Sequence, residues 1–200
     1  MPGGAELAAD VASRGQYRFT VEEFRRMPEL GVIDDNARVE LIEGVVVPIS
    51  PVRPAHYSVI YLLEERLRAA IEPRFRVRVQ SEIQLGTHSQ AQPDISVITP
   101  RRDGYRQRLP DAADCLLLVE VADSNLSRVR RDKVPLYALH GIREFWLINV
   151  AECSAVIFRD PADGVFCSAR DIGPDEALSP LIDPGVQIAL SSLFAAGRDA

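Results

Sequence analysis

Apolar residues in "HYSVIYLLEERLRAAIE", from His56 to Glu72, recur at Val59, Ile60, Leu62, Leu63, Leu67 and Ile71, with charged residues on the other side. That spacing lines one face of a helix and predicts a helix across the segment. A different period governs "FRVRVQSEIQL", where Phe75, Val77 and Val79 alternate with Arg76, Arg78 and Gln80, the mark of a half-buried strand. "CLLLVEVA", Cys115 to Ala122, is almost continuously apolar, as strands covered on both faces are. "PDISVIT" reads as a second strand entered through Pro93, and "EFWLINV" with "SAVIFRD" as a hairpin-like pair.

Turn and cap residues punctuate these runs. "FTVEEF" offers Thr20 as an N-cap with Glu23 three residues on, a capping box that opens a short helix broken near Pro28 and Gly31. "RVELIEGVVVPIS" alternates around Glu43 and Gly44 and predicts a hairpin turning there. After Ala122 comes a polar turn and then a helix with two alternative beginnings. Asp132 as N-cap places Pro135 in the first turn; a start near Ser127 makes the same proline a kink. Gly141 ends the helix in either case, and the Gly- and Pro-rich remainder suggests one or two short strands or turns. Residues 1–16, small and polar, read as a frayed tail ahead of an ordered domain over residues 17–195.

Composition narrows the class. A chain of 200 residues with 46% hydrophobic content fits one domain with one core. A formal charge of -6 argues against coating nucleic acid by bulk electrostatics, so any such contact must be local. Cys115, Cys153 and Cys167 are odd in number and lack metal-type spacing, which suits reduced thiols in a cytoplasmic protein. No apolar run approaches the roughly 18 residues of a membrane span.

The chemistry lies in where the carboxylates fall. Glu120 stands near the end of the most apolar strand, and a carboxylate taken into such a layer costs several kcal/mol unless a cation meets it. Asp94 makes the same demand at the head of "ISVI", and Glu40 in "RVELIEG" can be a third if the strands lie close. Oxygen-only ligands of this kind suit Mg²⁺ or Mn²⁺. The bland alternative is a structural ion pair with the cations that follow, Arg128, Arg130, Arg131 and Lys133. His56 at a helix start reads as a cap or surface residue, and Tyr137 and Trp146 as core aromatics.

"RVELIEG", "QPDISVI", "LLLVEVADSNLS" and "DKVPLYALHGIREFWLIN", in that order across most of residues 18–160, resemble the Uma-type restriction endonuclease family, a branch of the PD-(D/E)XK nuclease superfamily. The resemblance implies a restriction-endonuclease-like α/β (α+β) core with a central mixed sheet flanked by helices. It also implies a divalent-metal site, Mg²⁺ or Mn²⁺, made by Glu40, Asp94, Glu120 and the Val121 carbonyl, with Lys133 essential. The superfamily's ordinary lysine lies two residues after the glutamate, where this chain has Ala122; Lys133 matches the position it takes in the Uma-type branch. "SRVRRD", with Val129 and Arg131, departs from relatives that carry an acidic residue and a glycine there.

DNA is the implied partner and a homodimer is compatible with the resemblance. Arg128, Arg130 and Arg131, and Arg101, Arg102, Arg106 and Arg108 in "PRRDGYRQR", are the candidates for phosphate contacts. A reading from another class is a degenerate nuclease fold that binds nucleic acid or protein without cutting, favoured by the net negative charge and the altered "SRVRRD" segment.

Overall fold

The computed structural model describes residues 15–51 and 53–194. Of the tail expected over residues 1–16, residues 1–14 lie outside the described residues. Thr20 caps helix α1, Val21–Arg26, with both halves of the capping box in place: its hydroxyl accepts from the Glu23 N–H, and Glu23 accepts from the Thr20 N–H. Strands β1, Val39–Ile42, and β2, Val45–Pro48, form the expected hairpin. Glu43 and Gly44 both take positive φ, 47° and 77°, as a tight two-residue hairpin turn requires.

Helix α2, Pro54–Ile71, carries Pro54 in its first turn and buries Val59, Ile60, Leu63, Leu67 and Ile71, the predicted stripe. Strand β3, Arg76–Val79, follows, then β4, Ile83–Leu85, β5, Ser89–Ala91, and β6, Ile95–Ile98. "FRVRVQSEIQL" is therefore two strands rather than one. Gln80 breaks it at φ 43°, and β3 and β4 go to different sheets. Strand β7, Cys115–Ala122, leads into helix α3, Leu126–Leu139, then β8, Glu144–Asn149, β9, Ser154–Ala162, and β10, Val165–Ile172. The long β10 corrects the expectation of only short elements after Asp160: its outer face is mostly exposed, so its apolar pattern was too weak to read.

Helix α3 takes the earlier of its two alternative starts, with Asn125 as N-cap and Pro135 inside it. Pro135 is exposed, so the Arg131 carbonyl that loses its intrahelical donor stands on the solvent side. Gly141, at φ 72°, follows the helix end as predicted.

Two main sheets result. One has the order β2-β1-β5-β4, the other β10-β9-β8-β7-β6-β3; β11, Ala177–Leu178, and β12, Ile188–Ala189, pair separately. The larger sheet is mixed: β7 and β8 run parallel, their neighbours antiparallel. Parallel neighbours need a crossover, and α3 provides it. Alternation then divides β7 between two cores. Leu117, Val119 and Val121 face α2, whereas Leu118 and Ala122 face the side of α3. Glu120, between Leu118 and Ala122 in the same phase, points toward α3, and this is why an acidic residue in the middle of the molecule meets Lys133. Among the described residues no helix is long and apolar enough to cross a membrane.

Candidate active site

Glu40 on β1, Asp94 just before β6, Glu120 on β7 and Lys133 on α3 line one narrow cavity of about 80 Å³, though they come from stretches up to 93 residues apart. All four are nearly buried, at 6–8% exposure. The Lys133 ammonium bonds Glu40 Oε1 and lies 3.4 Å from Glu120 Oε1.

Each carboxylate shows the same division of its two oxygens. Glu40 Oε1 accepts from the Gln92 N–H at 2.6 Å as well as from Lys133. Asp94 Oδ2 accepts from the Val121 N–H at 2.8 Å and from His56 Nε2 at 2.9 Å. Glu120 Oε1 accepts from the Tyr137 hydroxyl at 2.6 Å and faces Lys133. The second oxygens are left over: Asp94 Oδ1 meets only the distant Gln80 amide at 3.4 Å, and Oε2 of Glu40 and Glu120 accepts from no described residue. Neither glutamate Oε2 is sealed away, because the one buried side-chain polar atom lacking a partner among the described residues is Ser96 Oγ.

The electrostatics follow from burial. Removal from water pushes the Glu120 carboxyl up to about 7, and the charges of Asp94 and Glu40 add to that; Lys133 and the Tyr137 hydroxyl oppose it without overcoming it. Burial lowers the Lys133 pKa, but Glu120 and Glu40 outweigh it, so the net shift is upward and the ammonium stays charged. His56 behaves alike: burial pulls it down, and the hydrogen bond and charge of Asp94 bring it above its ordinary value. Burial and the Glu120 charge hold the Tyr137 phenol well above its usual range, so it remains a donor.

The donor set suits a hard divalent cation: three carboxylates line the cavity, with no thiolate. Among the described residues no three His, Cys, Asp or Glu side chains are grouped closely enough to enclose an ion by themselves. Mg²⁺, which ordinarily keeps several waters and takes one or two carboxylates, does not need such a cage. Val121 also lines the cavity, with its N–H committed to Asp94.

The expected arginines separate. Arg128 lines the cavity and donates to the Pro48 carbonyl, and Arg38 and Arg53 line it too. Arg130 and Arg131 are exposed and away from it, with Arg131 paired to Asp132. Arg101 and Arg108 fold back on Asp103 and Asp114 and flank the Tyr105 ring at 5.4 and 5.5 Å, so half of the "PRRDGYRQR" cations are engaged internally. Reading the sequence set His56 aside as a cap or surface residue and Tyr137 as a core aromatic, and missed Gln80 and Gln92. The one local signal for Tyr137 was its place four residues after Lys133, one turn along the same helix face.

The sequence matches the Uma2 family, described as "Putative restriction endonuclease", over residues 21–191. The chain belongs to this family. A solved structure with a similar fold, that of "a putative nuclease belonging to DUF820" from Anabaena variabilis ATCC 29413, has a TM-score of 0.71 and 18% identity, covering 88% of this chain and 98% of that one. At that identity the likeness establishes the nuclease-like fold. No curated protein matches the chain. Membership of the Uma2 family supports a nuclease in general terms, and the expected restriction-endonuclease-like α+β architecture with a mixed central sheet is the one observed.

Proposed function

We propose that this Uma2-family protein, through a nuclease domain over residues 17–195, hydrolyses phosphodiester bonds of DNA as an endonuclease dependent on Mg²⁺ or Mn²⁺. The observation that carries this reading is the division of oxygens described above: three carboxylates from separate segments line a shared cavity beside a charged lysine, each with one oxygen held by short hydrogen bonds and the other weakly held or unpaired. A purely structural ion-pair cluster has no reason to leave two carboxylate oxygens unpaired and a third only weakly held in one place.

In this reading Glu40, Asp94 and Glu120, with the Val121 carbonyl, hold the ion. When bound, the ion supplies a lowered water pKa and a Lewis acid at the scissile phosphate. Lys133 is placed to offset negative charge developing on the phosphate oxygens, which a buried ammonium does more strongly than an exposed one. Arg128, at the rim of the same cavity, orients the flanking backbone, and Arg130 and Arg131 lie outside it.

The test is plasmid nicking in Mg²⁺ or Mn²⁺ by wild type and by Asp94→Asn. Metal-dependent nicking that the substitution abolishes supports the reading. Nicking that survives in Asp94→Asn overturns the residue assignment. A wild type that neither nicks nor responds to metal favours the binding-only alternative.

A further inference from the structure

The partners of the carboxylates carry a consequence for two side chains outside the acidic and lysine set. We propose that His56 and Tyr137 are positioning residues of the site, each holding one carboxylate so that a single chosen oxygen is presented to the metal. The inference rests on the metal reading above.

Backbone N–H groups and Lys133 account for most of the pinned oxygens, and these are fixed by the strands or by the chemistry itself. Two pins remain that are free side-chain choices. Tyr137 bonds Glu120 Oε1 at 2.6 Å, and His56 bonds Asp94 Oδ2 at 2.9 Å; an ionised carboxylate only accepts, so His56 donates through Nε2. A carboxylate on a strand is free about its terminal torsion, which is broad and twofold. With both oxygens equivalent it samples either toward the cavity; with one tied it offers the other.

Both side chains have the rigidity for that task. Tyr137 is fully buried, and its ring packs edge-on against Phe145 with centroids 5.0 Å apart. Its hydroxyl could instead have been omitted: phenylalanine fills the same space, and the surrounding cluster of Leu136, Phe145 and Leu147 is apolar. A buried hydroxyl in that setting costs free energy unless bonded, and the partner it has is a carboxylate of the cavity. His56 sits in the first turn of α2, and its ring nitrogen reaches Asp94 across 38 residues of sequence. The two helices that flank the larger sheet thus contribute one pin each. Partners of this kind around metal ligands typically change metal affinity 10–100-fold when removed.

The test is calorimetric titration of Mn²⁺ into the full chain and into Tyr137→Phe, His56→Ala and His56→Gln, with near-ultraviolet circular dichroism to confirm the fold. Tyr61→Phe, an exposed tyrosine that bonds Glu65 on the surface of α2, is the control. Tyr137→Phe and His56→Ala are expected to weaken Mn²⁺ binding 10–100-fold. His56→Gln, which keeps a donor at the same reach, recovers most of the loss, and the control leaves affinity unchanged. A purely structural role predicts lowered stability with unaltered Mn²⁺ affinity, and affinities within threefold of wild type for Tyr137→Phe and His56→Ala overturn the proposal. A wild type that takes up no Mn²⁺ is a different failure: it removes the metal reading and this inference with it.

Discussion

Replacing Glu120 with Gln should stabilise the metal-free protein, although it removes half of an ion pair. The carboxyl is shifted from 4.5 to about 7 by burial and by the neighbouring carboxylates, with Lys133 already charged beside it. The neutral form is therefore the better tolerated one, and glutamine approximates it in shape and hydrogen bonding. A span of about 2.5 on the pH scale, at 1.36 kcal/mol for each pKa unit, gives roughly 3 kcal/mol as the full penalty of ionising Glu120 in the folded state. The sign follows from linkage: the folded pKa is raised, so the penalty is absent below about pH 4.5, accumulates up to about 7 and is complete above it. At pH 8 without metal the variant should melt roughly 6–12 °C above wild type, since about 2–4 °C accompanies each kcal/mol in a chain of this size. At pH 4 the two should coincide. Excess Mn²⁺ should close most of that gap, because a ligand at a hundredfold over its dissociation constant adds about 2.7 kcal/mol to a protein that binds it and little to one that has lost a ligand. Differential scanning fluorimetry across pH 4–8 with chelator or Mn²⁺ measures all of this. A variant less stable than wild type at pH 8 in chelator, or a difference that does not change with pH, would refute the electrostatic account of the cavity.

Two further outcomes test the scaffold. Glu144 is fully buried and accepts from Arg159, Trp146 Nε1 and the Leu181 N–H, so Arg159→Met should cost about 3–5 kcal/mol in urea unfolding, with much of the loss recovered by adding Glu144→Gln. Gly44→Ala should lower stability by more than about 1 kcal/mol, because φ is 77° and the new Cβ would stand 2.6 Å from Arg18 Cβ; Gly104→Ala, at φ 60° in open space, should cost less in the same thermal melts.

The regular elements were legible where periodicity is strong. The α2 stripe and the doubly covered β7 can be read from apolar spacing alone, and Glu120 stands out because its neighbours in β7 are apolar. Asp94 and Glu40 could be raised as candidates from their places beside apolar strand runs, whereas Lys133 was singled out through the family pattern, since nothing local distinguishes it from Arg131 two residues earlier. The pins were not legible. His56 looks like any histidine at a helix start, and Tyr137 like any core aromatic, until tertiary structure brings each within hydrogen-bonding distance of a carboxylate. Gln80 escaped for another reason: its positive φ interrupts an alternating pattern that invites one long strand.

The exposed segment of residues 101–108 divides the site along the chain. Glu40, His56 and Asp94 precede it; Glu120, Lys133 and Tyr137 follow it. During synthesis, a ribosome-bound chain that has emerged only as far as β6 holds two carboxylates with neither the third nor the lysine. The cavity is in this way withheld from unfinished copies, and proteolytic nicking in that loop followed by separation of the pieces would take it apart without touching any residue that lines it.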